Sequence, residues 1–229
     1  MRLTLRHLYD FGSDSELVGS DLVRPAAWDA LRTRTTGPFA LASDREAWES
    51  SALADPPLRT RAEAIDRWLD AVGARSVASY GAGSGVLELL LHRLAPERAL
   101  IATDYGPETV ARLTSLFPEA EVRRHDLLLD SPLPADVHLL HRIDTEFTND
   151  QWRHVLGRFS GQRLLVVATA VLSPFDALLQ TLNRVRHPGM TRAGWARNSA
   201  AFESLWGETH LSQRLQMHDL VAWDLQPRR

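Results

Sequence analysis

The sequence predicts an α/β fold: a doubly wound, mostly parallel seven-stranded sheet with a C-terminal antiparallel hairpin, plus an N-terminal helical extension. Three observations point there. Short apolar runs alternate with helical periods between residues 76 and 168, which is the pattern of βαβ units. The first run ends in a glycine-rich turn, Gly81-Ala82-Gly83-Ser84-Gly85, that opens a leucine-rich helix. Two strand-like segments joined through His218-Asp219 then close the chain, and so short a connection requires an antiparallel pair.

Taken in order, residues 1–57 form the extension. Its periodicity is weak and it is broken at Gly12, Gly19, Pro25, Gly37, Pro38 and Pro56-Pro57. Trp28, Phe39 and Trp48 imply that it packs against the remainder as a lid over an acceptor site, with Tyr9 and Phe11 available to shape it. Residues 58–229 form the main domain. Ala62, Ile65, Leu69 and Val72 recur at helical spacing, and Gly73 stops that helix. A buried strand is expected at 76–80, a helix at 85–94 and a second strand at 99–103. Pro107 starts a helix to 117, followed by strands at 121–124, 137–140 and 164–168. Between the last two, Thr148-Asn149-Asp150-Gln151 reads as a capping box. Helices are expected at 174–185 and 199–206, and the hairpin strands at 211–217 and 220–225.

Composition removes several classes of function. With 229 residues, 44% of them hydrophobic, the chain can bury a large core, and its net charge of −3 speaks against a nucleic-acid coat or a membrane-surface binder. No apolar run approaches the ~18 residues of a spanning helix, and MRLTLRHLYDFGSDSE lacks the apolar centre of a signal peptide, so a cytoplasmic protein is expected. Cysteine is absent, which removes disulfides and thiolate chemistry. All 26 basic residues counted as Lys+Arg are arginine, so Schiff-base chemistry and a P-loop lysine are excluded. No His-x-x-x-His pair occurs, and strand alternation separates His138 from His141 and Asp144, so no metal is expected.

Four segments should converge where the sheet's winding reverses. Glycines at alternate positions bring the backbone close to a ligand, with the positive end of the following helix behind them. Asp104 ends the second strand, 23 residues past Gly81, where a carboxylate can accept hydrogen bonds from ribose hydroxyls. His125-Asp126-Leu127 follows the third strand and His141-Arg142-Ile143-Asp144 the fourth.

On YGAGSG, ATDYGPE, RRHDLL, WARNSAAFESLWG and HLSQRLQMHDLVAWDL, residues 58–229 resemble the class I S-adenosylmethionine-dependent methyltransferases. The resemblance implies that S-adenosylmethionine is the cofactor, bordered by Ser79, Tyr80, Gly81, Ala82 and Gly83 at its amino acid part. It implies Asp104 at the ribose with Tyr105 beside the adenosine, Asp126 and Leu127 at the adenine, and His141 beside the sulfonium. One departure stands out: the family places an acid two positions before the first glycine, and here that position is Ser79.

His141 is the first candidate for a general base, because an imidazole titrates near neutrality, with Asp144 and then Glu146 behind it. Arg184, Arg186, His187, Arg192 and Arg197 accumulate in a stretch without acids, which suits either a solvated helix face or a clamp for an anionic acceptor. The expected activity is methyl transfer to an oxygen or nitrogen of a small molecule, by a monomer or homodimer. Two alternatives stay open: a cyclase, aminopropyl transferase or lyase that releases methylthioadenosine, and a non-catalytic Rossmann-like binding subunit.

Overall fold

The computed structural model describes residues 1–6, 25–34, 40–173, 175–176, 178–179, 182 and 194–228. The expected helix at 174–185 and the residues Arg184, Arg186, His187 and Arg192 lie wholly or mostly outside that set.

The main sheet contains β2 (Ser76–Tyr80), β3 (Ala99–Asp104), β4 (Glu121–Arg124), β5 (Val137–His141), β6 (Leu164–Val167), β8 (His210–Met217) and β9 (Leu220–Pro227). Their order is β4-β3-β2-β5-β6-β9-β8, parallel up to β6 and antiparallel from there. The central strands β5 (VHLLH) and β6 (LLVV) are almost continuously apolar, as strands covered on both faces must be. The edges are polar: Glu-Val-Arg-Arg in β4 and Gln213 and Arg214 in β8 discourage pairing with another sheet.

Two cores flank the sheet. Alternation along β2 sends Val77 into one and Ala78 and Tyr80 into the other. The first core takes side chains from α2 (Arg45–Leu53), α3 (Pro56–Ala71), α4 (Val86–Leu94) and α5 (Pro107–Leu116). The second is filled by α6 (Asn149–Arg158) and α7 (Ser199–Trp206), whose Trp152, Phe202 and Trp206 pack with Trp223 of β9 or beside it. The Thr148 capping box is present: its hydroxyl accepts from Gln151 N at 3.2 Å, and its own N–H donates to the Gln151 side chain at 2.9 Å.

Several contacts among the described residues stitch the segment before residue 58 into the body. Trp48 of α2 is buried in the first core and its indole donates to the Ser84 carbonyl at 2.7 Å. Helix α1 (Pro25–Arg32) docks on the start of α5, where Asp29 accepts from Thr109 N and Oγ1. Strand β1 (Thr4–Arg6) pairs antiparallel with β7 (Trp195–Arg197), an element outside the expected set. The expected boundary at 57/58 falls within the first turn of α3, a helix that shares one core with α2.

No helix among the described residues is long and apolar enough to cross a membrane.

Candidate functional site

Where β2 and β5 diverge, at the carboxyl ends of the parallel strands, lies a cleft of about 440 Å³. Gly81, Ala82 and Gly83 form its floor, Asp104, Tyr105 and His141 line it as expected, and α1 lends Trp28 and Arg32. Gly81 and Gly83 adopt φ of +69° and +58°, in the left-handed region where a Cβ is strained. At Gly81 there is also no room: an added Cβ would stand 2.5 Å from Ile143 Cγ2. Helix α4 starts at Gly85 with no side chain capping its first amides.

Asp104 is more committed than the sequence suggests. It is 1% exposed, and one carboxylate oxygen accepts from Gly106 N at 2.9 Å. The other accepts from Gly83 N at 3.0 Å and from Arg32 Nη1 at 2.9 Å. Arg32 also donates to Thr109 Oγ1 at 3.2 Å and lies over the Trp28 ring. The carboxylate expected to meet ribose is therefore already braced by the glycine turn and by α1.

Several expected residues are placed elsewhere. Tyr80 points into the second core, where its hydroxyl bonds His138 Nδ1 at 3.1 Å and accepts from Leu133 N at 3.2 Å, and burial pushes its pKa up to about 12. Alternation along β2 is the reason: Tyr80 and the cleft-side residues cannot share a face. Ser79 does not line the cleft either; its hydroxyl donates at 2.6 Å to Glu88 of α4, which does. Asp126 is turned back on its own loop, accepting from Leu128 N at 2.8 Å, and Leu127 is buried in the second core. Neither belongs to the cleft lining.

Asp144 is corrected as a catalytic residue. It is 1% exposed and accepts from Thr169 N at 2.6 Å and Thr169 Oγ1 at 2.7 Å, so it ties the loop after β5 to the end of β6. His141 lines the cleft, but burial, with Arg61 and Arg142 nearby, pushes its pKa down to about 3. An imidazole held neutral in this way is a weak proton acceptor at neutral pH, which disfavours His141 as a general base.

Glu146 fits that role better. It lines the cleft, and burial pushes its pKa up to about 7, while the Trp28 indole, donating to Oε2 at 3.3 Å, and Arg32 hold it back. The loop that carries it is clamped from behind. Buried Arg197 donates to the Asp144 and Phe147 carbonyls and to Asn149 Oδ1, and Trp195 N donates to the Thr145 carbonyl at 2.8 Å. Arg197 is thereby a structural cation and not part of an anion clamp.

Three residues escaped the sequence reading. Glu88 is an acid within GVLELLLHRL, a signal masked because acids are ordinary in a helix's first turn. Arg32 and Asp29 lie 72 and 80 residues from the groups they hold, and no local pattern marks such a pairing. Among the described residues, no group of three or more His, Asp or Glu is placed to hold a metal ion.

No protein-family model and no curated protein matches the chain. Solved structures do match, several methyltransferases among them. Human N-acetylserotonin methyltransferase, in complex with SAM, superposes with a TM-score of 0.60 at 17% identity, over 81% of this chain and 57% of that one. An O-methyltransferase family protein from Burkholderia thailandensis gives 0.57 at 16%, over 80% and 59%. The mitomycin 7-O-methyltransferase MmcR gives 0.59 at 18%, over 89% and 72%. The chain thus has the Rossmann-like fold found in S-adenosylmethionine-dependent methyltransferases, and it spans little more than half the length of the first of these structures.

Proposed function

We propose that the chain binds S-adenosylmethionine in this cleft and transfers its methyl group to an oxygen or nitrogen of a small molecule. The observation that carries the reading is the glycine cradle at the switch point, with the uncapped start of α4 beside it and two carboxylates, buried Glu88 and half-buried Glu146, in the cleft lining. A zwitterionic, sulfonium-bearing ligand matches that set: amide donors for its carboxylate and acidic groups for its cationic centres.

When bound, the cofactor supplies an electrophilic methyl group on a cationic sulfur. The chain's residues do the rest. Gly81, Ala82 and Gly83 let the backbone approach the amino acid part, and Asp104 would accept the ribose hydroxyls as Arg32 withdraws from it. Trp28, Tyr105 and Ile143 supply apolar surface to the cleft. Glu146 would receive the acceptor's proton as the acceptor atom takes the methyl, and a carboxylate titrating near neutrality suits that transfer. Covering the cleft with α1 excludes water and fixes the reactants in line, an effect worth ~7–11 kcal/mol for well-oriented groups.

Titration calorimetry with S-adenosylmethionine, followed by mass analysis of the nucleoside product with candidate hydroxylated and amino acceptors, tests the reading. Binding and formation of S-adenosylhomocysteine are expected. Methylthioadenosine as the product would move the reaction to cyclisation or aminopropyl transfer, and absence of binding heat would reject the cofactor.

A further inference from the structure

Glu88 occupies a position that the fold alone does not explain. It is 2% exposed on α4, among Val86, Leu87, Leu89, Leu90 and Leu91, all of them buried. An ionised carboxylate withdrawn from water costs several kcal/mol unless partners answer both oxygens. Only one is answered: Oε1 accepts from Ser79 Oγ at 2.6 Å, while Oε2 is buried without a hydrogen-bond partner. The nearby charge that bears on it is Asp104, another acid, and burial holds its pKa up at about 7. Glu88 also lines the cleft, beside the glycine turn. A half-satisfied carboxylate in a cleft wall is a cation site awaiting its cation.

Resting on the cofactor reading above, we infer that Glu88 binds the α-ammonium of the cofactor's amino acid part through Oε2, with Ser79 orienting it through Oε1. The geometry accounts for two facts at once. An α-amino acid presents an ammonium and a carboxylate one carbon apart. The third residue of α4 presents a carboxylate within a turn of the amides that open the helix, so both halves of the zwitterion find their complement in one place. It also explains Ser79. A serine at the end of β2 cannot itself offer negative charge, but it can donate to the acid that does, and that acid has moved from the strand to the facing helix. Glu88 is then a binding residue for the cofactor, and Ser79 a positioning residue that acts through it.

The test compares two ligands by titration calorimetry: S-adenosylhomocysteine and 5′-S-(3-carboxypropyl)-5′-thioadenosine, which lacks only the ammonium. The native chain should prefer the first by roughly 10- to 100-fold, the span of one charge-assisted hydrogen bond. Glu88→Gln should erase that preference while leaving affinity for the second ligand unchanged, and its melting temperature reports that the fold is kept. Ser79→Ala, which retains the charge, should reduce the preference only several-fold, and it serves as the second variant should Glu88→Gln not fold. A crystal structure with S-adenosylhomocysteine should place the ammonium within hydrogen-bond distance of Oε2. Equal binding of both ligands by the native chain, or an undiminished preference in Glu88→Gln, would overturn the assignment of Glu88 and leave the cofactor reading standing. Failure of the native chain to bind either ligand would overturn the cofactor reading, and this assignment with it.

Discussion

Replacing Arg197 with methionine tests whether the loop that presents Glu146 is held from behind by a buried cation. The native guanidinium is fully buried and donates to Asn149 Oδ1 at 2.8 Å, to the Asp144 carbonyl at 2.8 Å and to the Phe147 carbonyl. Methionine keeps much of the length of the stem, so the change removes the guanidinium, with its three hydrogen bonds and its place over the Phe202 ring. The Asp144 carbonyl retains the Trp152 indole at 3.1 Å, whereas the Phe147 carbonyl and the Asn149 side chain lose a donor. An acceptor left without a donor costs ~1–3 kcal/mol, and because these two are only part-buried, about 1.5 kcal/mol each gives about 3 kcal/mol in total. For a chain of this size each kcal/mol lowers the melting temperature by roughly 2–4 °C, so calorimetry should show a fall of ~6–12 °C. Arg197→Lys keeps a charge but offers a point donor in place of a planar fork, and should recover less than half of the loss. Because the loop no longer aims Glu146, turnover should fall while affinity for S-adenosylhomocysteine is kept. A melting temperature within ~2 °C of the native chain would overturn this account, since three hydrogen bonds of a buried guanidinium cannot vanish at so small a cost.

Glu146→Gln should lower kcat by ~10²–10⁴-fold with affinity for the uncharged-sulfur product S-adenosylhomocysteine unchanged, and abolish the limb of the native kcat profile that rises up to about pH 7, where the ionised carboxylate becomes available. Gly81→Ala combines a φ of +69° with a Cβ 2.5 Å from Ile143, so it should cost at least ~1–2 kcal/mol in denaturant unfolding and weaken cofactor binding; Ile143→Ala should restore part of both by removing the clash. The raised pKa values of Glu88 and Glu146, about 7 each, mean that the folded unliganded chain holds more protons than the unfolded one between their ordinary range and pH 7. Their contribution is present at acidic pH and is lost as pH rises through about 7, whereas His138 and His141, held down at about 4 and 3, act in the opposite sense below their ordinary range. Unfolding the Glu88→Gln/Glu146→Gln double variant beside the native chain isolates the acids: the variant's relative stability should be greater at pH 8 than at pH 5, and an equal difference at both would contradict the burial of these carboxylates.

How far the site could be read in advance depended on the range of the interactions concerned. The apolar run at β2, the Thr148 capping box and the polar edge of β8 are local, and they appear where the sequence places them. The convergence of Gly81, Asp104 and His141 on one cleft followed from topology alone. Which face each side chain takes did not. Tyr80 and Ser79 are neighbours in sequence, yet one is a core residue and the other supports a cleft residue, because successive side chains on a strand point to opposite sides. Asp144 and Glu146 look interchangeable in RIDTEF, but Thr169 takes the first and Trp28 the second, from 25 and 118 residues away.

Legible in the sequence were the winding of the sheet, the place of the glycine cradle and three of the four segments expected to meet there, because hydrophobic period and backbone permissiveness are written residue by residue. Only the tertiary structure decided which acids face the cleft, that Arg32 guards Asp104, and that His141 is held neutral by burial among arginines. Charge states and hydrogen-bond partners depend on what burial and distant chain segments bring to each group, and no window of sequence contains that information.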